Sequence, residues 1–176
     1  HLERHGGAIT PEVWQAAEAD YRKTFKRVVF PSDMHCGNFV GLAPPGYQVP
    51  SLRSPELAKL HQEMWKFFTE TLEFLKPIDG VIALGDLIDG KGKRAGSIEQ
   101  LTCDLDEQAY MATMCLKEFE ANEYVIVSGT PYHTAEDGEE WEKVIADRVG
   151  GEFQDKAFVE IFGKVINARH HVGNSS

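Results

Sequence analysis

The stretch that decides the fold is GVIALGDLIDG, residues 80–90. Val81, Ile82, Ala83 and Leu84 form a continuous apolar run rich in β-branched residues, the pattern of a strand buried on both faces. At Gly85 the run stops, and two carboxylates follow, Asp86 and Asp89. The same event recurs along the chain. RVVFPSDMHCGN (27–38) passes from Val28, Val29 and Phe30 to Asp33 and His35, and YVIVSGTPYH (124–133) ends in Thr130 and His133. AFVEIFGKVINARHH (157–171) reads as two strands joined by a turn at Gly163-Lys164, running into His170 and His171.

Helical patterns separate these strands. ITPEVWQAAEADYRKTF (9–25) has Thr10 as N-cap, Pro11 in the first turn, and Trp14, Ala17, Tyr21 and Phe25 on one face. A second helix begins at Ser54-Pro55, carries a stripe of Leu57, Leu60, Met64, Phe68, Leu72 and Leu75, and stops before Pro77. A third is expected from a capping box of Ser97 and Gln100, with Leu101, Leu105, Ala109, Ala112, Leu116 and Phe119 along one side. The fourth spans 134–149 and is halted by Gly150-Gly151. Strands alternating with helices specify an α/β domain, and the terminal hairpin predicts a mixed sheet.

Composition narrows the function classes. The chain has 176 residues, 42% hydrophobic and 26% charged, which is enough for one globular domain with a core. A formal net charge of −10 disfavours avid nonspecific binding to nucleic acid, but a phosphate substrate stays open because bound cations reverse local charge. No apolar run reaches the length of a membrane span, so no membrane partner is expected. Three cysteines without CxxC spacing favour a reducing compartment, and the expected location is cytoplasmic.

In open α/β sheets, ligands bind beyond the carboxyl ends of the strands. Four strands here deliver carboxylate or imidazole groups to that rim. Residues i and i+2 of an extended segment share a face, so Asp33 and His35 could grip one ion. Taken singly, each group has a plainer reading: Asp89-Gly90 is a common turn pair, and an isolated histidine after a strand is usually a hydrogen-bonded loop residue. Their recurrence at successive strand ends favours a metal site. His61 falls on the helix stripe and reads as a core-edge residue, Cys36 as incidental and Tyr47 as cover for apolar surface. Lys91, Lys93 and Arg94 read as a solvated loop.

At these residues the chain resembles the calcineurin-like metallophosphoesterase superfamily. SDMHCG matches its D-x-H motif and LGDLIDG its G-D-x-x-D motif, while VSGTPYHT and ARHHVG occupy the places of the third and fourth. The GTPYH form is similar to phage and prophage members. The resemblance implies two mixed β-sheets packed as a sandwich flanked by helices (α/β/β/α). It covers a domain over 26–176, preceded by a helical extension over 1–25.

It also implies two divalent metal ions (Mn, Fe or Zn) and hydrolysis of a phosphomonoester or phosphodiester by water activated between them, with nucleotides and nucleic acid among the substrates. Asp33 and His35 would hold one ion, Asp86 would bridge both, and His170 would hold the second, with His171 as its alternative. His133 would protonate the leaving oxygen and Asp89 would hold its imidazole. The role of Thr130, where the family has Asn, is open. The fifth motif, G-H-x-H, is expected in a segment beyond Ser176. A nuclease of the same fold and a non-catalytic metal-binding scaffold are the alternatives.

Overall fold

The computed structural model describes residues 10–12, 15–16, 26–92, 96–131 and 140–171. Most of the expected N-terminal helix, together with Lys93, Arg94 and His133, lies outside the described residues. Four strands, β1 (Val28–Val29), β2 (Gly80–Ala83), β3 (Glu123–Val127) and β4 (Glu152–Gln154), form one parallel sheet in that order. Two more, β5 (Ala157–Ile161) and β6 (Lys164–Ala168), form a separate antiparallel hairpin. Three helices are described: α1 (Pro55–Leu75), α2 (Leu105–Lys117) and α3 (Trp141–Val149).

Residue alternation assigns the layers. Val29, Val81, Ala83 and Ile126 face a core shared with Leu72, Ala109, Leu116 and Ile145 of the helices. Val28, Ile82, Leu84, Val125 and Val127 face the other way, onto Ala157, Val159 and Ala168 of the hairpin. A strand buried on both faces needs apolar residues at every position, which accounts for the unbroken run in GVIAL. The result is helices, parallel sheet and hairpin in successive layers. Parallel and antiparallel pairing are segregated into different sheets. Helical crossovers force the first four strands parallel, and a two-residue turn forces the last two antiparallel.

Local signals held for α1, where the Ser54 side chain accepts from Leu57 N–H and every residue of the expected stripe is at least half-buried. They failed for α2. Ser97 and Gln100 do not open a helix; Asp104 is the N-cap and accepts from the Asp106 and Glu107 amides. Ser97 instead sits at φ 61, its hydroxyl donating to Lys91 O at 2.7 Å. The described part of the fourth helix begins at Trp141 and ends on Gly150 in the left-handed region. The hairpin turn lies one residue earlier than expected, because Ile161 pairs with Lys164. Phe162 and Gly163 are its two central residues, with φ 49 and 72, as a primed turn requires. β4 was not anticipated from the sequence. It is a three-residue edge strand with Glu152 exposed, too short and too polar to leave an apolar signature.

Candidate metal centre

The loops after β1 and β2 lie side by side and are zipped by main-chain hydrogen bonds. Asp33 N–H donates to Gly85 O at 3.2 Å, His35 N–H to Asp86 O at 3.0 Å and Cys36 N–H to Leu87 O at 3.0 Å. Asp33, His35 and Asp86 all adopt left-handed backbone conformations, with φ 55, 43 and 49. Asp33 and His35 are therefore not an extended i, i+2 pair as expected. β1 ends at Val29, and the loop takes its shape from the neighbouring β2 loop. Non-glycine residues held in this region carry about 1–3 kcal/mol of strain each, and such strain clusters at functional sites. Three in one hydrogen-bonded crossing mark this rim.

Asp33, Asp86 and His170 each present one ligand atom, and the three atoms lie within 4.8 Å of one another. His170 Nε2 stands 3.1 Å from Asp86 Oδ2. Its other nitrogen, Nδ1, is 2.6 Å from Leu84 O and can only donate there, which fixes the tautomer and leaves the Nε2 lone pair facing the carboxylates. The side chains of His170 and Asp86 are 8% and 5% exposed and that of Asp33 is 55% exposed, so the cluster has a buried floor and one open side. His171 packs edge-on against the His170 ring, 4.4 Å between centroids, and is not one of the three clustered groups.

Asp86 is held from β3. Thr130 N–H donates to Asp86 Oδ1 at 2.6 Å, and its hydroxyl lies 3.1 and 3.2 Å from the two carboxylate oxygens. Thr130 thus orients the carboxylate, a role the sequence left open. The β2 and β3 loops touch through glycines: a Cβ on Gly85 would meet Gly129 Cα at 2.4 Å, and one on Gly129 would fall 2.4 Å from Asp86 N. Behind them Glu142 of α3 is buried, and its Oε1 has no hydrogen-bond partner among the described residues. Burial pushes its carboxyl up to about 8; its own amide opposes this, and the Asp86 charge adds to it.

His35 flanks the cluster, with Nε2 3.8 Å from Asp33 Oδ1. Its Nδ1 is 3.1 Å from Asp89 Oδ1. Asn38 donates to Asp89 Oδ2 at 3.0 Å, and Gln100 donates to the same oxygen. The bond to Asp89 raises the His35 pKa, with burial opposing and the surrounding carboxylates adding to the rise. Burial works against the Asp89 charge, but bonds from His35, Asn38 and Gln100 outweigh it and bring the carboxyl down to about 2. Asp89 was expected to hold His133, which lies outside the described residues; among the described residues it holds His35.

Gln108 of α2, fully buried, closes this network. It accepts from the Asp89 and Gly90 amides at 3.2 and 2.9 Å and donates to Gly90 O and Thr102 O at 2.8 and 2.7 Å. Sequence reasoning missed Asn38, Gln108 and Glu142 and misassigned Gln100. The available signal was a long polar residue on the apolar face of a helix, at Gln108 among Leu105, Ala109 and Ala112.

Other assignments have plain structural accounts. His61 is buried, accepting from Val49 N–H at 3.1 Å and donating to Phe39 O at 2.7 Å. Cys36 is buried with its sulfur 4.0 Å from Cys115 Sγ. Tyr47 packs on the helix-side core, 6.4 Å from the Tyr110 ring. A cavity of about 340 Å³ lies between sheet and hairpin beside Gly80 and Glu123, at the strand ends opposite Asp86, and contains none of the candidate ligands. Among the described residues no helix is long and apolar enough to cross a membrane. Comparison with protein-family models and with curated proteins finds no match.

Proposed function

We propose that this chain is a metal-dependent phosphoesterase that hydrolyses a phosphomonoester or phosphodiester, with the α/β/β/α sandwich of the calcineurin-like metallophosphoesterases. The observation that carries the reading is the convergence of Asp33, Asp86 and His170 within 4.8 Å, from three separate strand ends. The donor set fits divalent metal: two carboxylates and an imidazole whose tautomer is set by Leu84 O. Hard oxygen and imidazole ligands without thiolate suit Mn, Fe or Zn. Asp33 and His35 would hold one ion and His170 the other, with Asp86 between them. The three free thiols fit a reducing compartment, and we assign the protein to the cytoplasm.

Bound cations supply Lewis acidity, lowering the pKa of water and offsetting charge on phosphoryl oxygens. The protein's own residues prepare that chemistry. Thr130 fixes both oxygens of Asp86, Asp89 fixes His35, and the exposed side of Asp33 leaves an approach for substrate. His133 is the acid proposed for the leaving oxygen.

With Mn²⁺, the protein is expected to hydrolyse p-nitrophenyl phosphate or its bis ester. Asp86→Asn is expected to lower kcat/KM by roughly a thousandfold or more while the fold is retained, since removing a charged ligand removes interactions made in the transition state. Equal inertness of both proteins across Mn²⁺, Fe²⁺ and Zn²⁺ contradicts the reading. The competing reading, a non-catalytic scaffold holding one ion, is favoured by the fact that only three ligand atoms converge among the described residues. Metal stoichiometry separates the two: two ions per chain for the hydrolase, one for the scaffold.

A further inference from the structure

Next to His170 lies a cavity of about 270 Å³ bounded by Ser128, Gly129, Asp155, Lys156, Arg169 and the two histidines. Resting on the phosphoesterase reading, we propose that this cavity is a substrate subsite for a second phosphate group, so that the substrate is a nucleotide or oligonucleotide strand rather than a simple phosphomonoester.

Position is the first argument. The cavity shares His170 with the metal cluster and Gly129 with the crossing that seats Asp86, so a substrate held at Asp33, Asp86 and His170 has its continuation beside it.

Charge is the second. Lys156 and Arg169 are two cations against the single carboxylate Asp155, in a chain whose formal net charge is −10. Neither cation forms an ion pair among the described residues. Arg169 uses Nε on Asn167 Oδ1 at 3.2 Å, which leaves its terminal nitrogens for another acceptor. A guanidinium with two such nitrogens matches phosphate oxygens in a forked geometry, and lysine adds a point charge.

Chain placement is the third. Arg169 follows β6 directly and is half-buried, so it is anchored on a strand end. Lys156 comes from the short β4–β5 connection, so two different elements supply the cations. The lining is polar and has no aromatic besides the histidines, which suits a phosphate better than a stacked base.

The test is calorimetric binding of thymidine 3′,5′-bisphosphate and thymidine 5′-monophosphate, each with and without Mn²⁺. With Mn²⁺ the wild-type chain is expected to bind the bisphosphate roughly tenfold or more tighter than the monophosphate, as one additional charge-assisted contact implies; without Mn²⁺, where only the cationic cavity attracts phosphate, the two ligands bind alike. In the Lys156→Gln/Arg169→Gln double variant that Mn²⁺-dependent ratio falls toward one, whereas Lys156→Arg, which keeps both cations and the Arg169 fork, leaves it intact. A wild-type ratio near one with Mn²⁺, or a ratio unchanged in the double variant, overturns the subsite. Pyrophosphate binding as tightly as the bisphosphate overturns the assignment to a nucleotide strand, because its phosphates are adjacent. Turnover is scored separately on p-nitrophenyl phosphate with Mn²⁺, so an intact ratio in a protein that hydrolyses nothing refutes the phosphoesterase reading and leaves a nucleotide-binding site beside the metal cluster.

Discussion

His35 and Asp89 form a pair whose pH dependence can be worked out by sign. The His35 pKa is raised from 6.5, so its stabilisation of the metal-free fold is complete below that value and disappears as pH rises through the raised pKa. The Asp89 pKa is lowered from 3.8 to about 2, so its stabilisation is complete above 3.8 and disappears as pH falls toward 2. Both contributions are therefore full between about pH 4 and 6.5. For EDTA-treated protein, the Tm difference between wild type and Asp89→Asn is expected to peak in that window and shrink on either side; thermal melts across pH 3–9 measure it. With metal the same substitution should weaken binding by roughly 10–100-fold, as loss of a histidine-orienting carboxylate does elsewhere. On the proposed reading His35 binds metal as the neutral imidazole, so affinity is expected to fall as pH drops below the raised pKa. A difference independent of pH would detach Asp89 from His35. At this scale the sequence was readable for charged groups that follow a strand. It was opaque for Asn38, Gln100 and Gln108, whose value lies in hydrogen bonds between distant segments.

The loops after β1, β2 and β3 brace one another through main-chain hydrogen bonds and close glycine contacts. Gly129 shows this most directly. A methyl group there would lie 2.4 Å from Asp86 N and from Asp86 Oδ1, with no flexible side-chain tip to yield on the backbone side. Gly129→Ala is expected to cost about 3 kcal/mol by overpacking and to abolish the seating of Asp86; urea unfolding and metal titration check the two effects. A drop in neither would show that the β2 and β3 loops are looser than described.

Glu142 gives a second test at this scale. Its folded pKa of about 8 exceeds the ordinary 4.5, so the carboxyl is neutral at low pH and costs stability progressively as pH rises from 4.5 to 8. In metal-free protein Glu142→Gln should leave Tm unchanged at pH 5 and raise it by roughly 5 °C at pH 8. Melts of both proteins at the two pH values decide it, and a gain equal at both contradicts the burial argument. Element boundaries were the least legible part of the sequence. Ser97 and Gln100 match a capping box by spacing, yet the tertiary demand of Asp89 for Gln100 removes them from helix initiation. The hairpin turn slipped by one residue because Gly163 fits either placement, and only the pairing of Ile161 with Lys164 settles it.

The molecule as a whole is organised around one edge. Alternation along β2 sends Val81 and Ala83 to the helices and Ile82 to the hairpin, so the strand is packed from both faces. The two-sided burial of β2 was legible because it leaves an apolar residue at each of positions 81–84. The separation of parallel from antiparallel strands was not, since pairing partners are set by connections and not by composition. Gathering Asp33, Asp86 and His170 at one edge of a chain with net charge −10 is costly without a counter-ion. Divalent metal should therefore stabilise the whole fold, by about 2.7 kcal/mol at a hundredfold excess over Kd. Asp33, Asp86 and His170 together are expected to bind divalent cation. Anomalous diffraction from crystals of the chain soaked in MnCl₂ tests it most directly. Two manganese peaks ligated by Asp33, His35, Asp86 and His170, with Asp86 touching both, are the predicted result; manganese absent from this cluster, or bound only elsewhere on the surface, would contradict it.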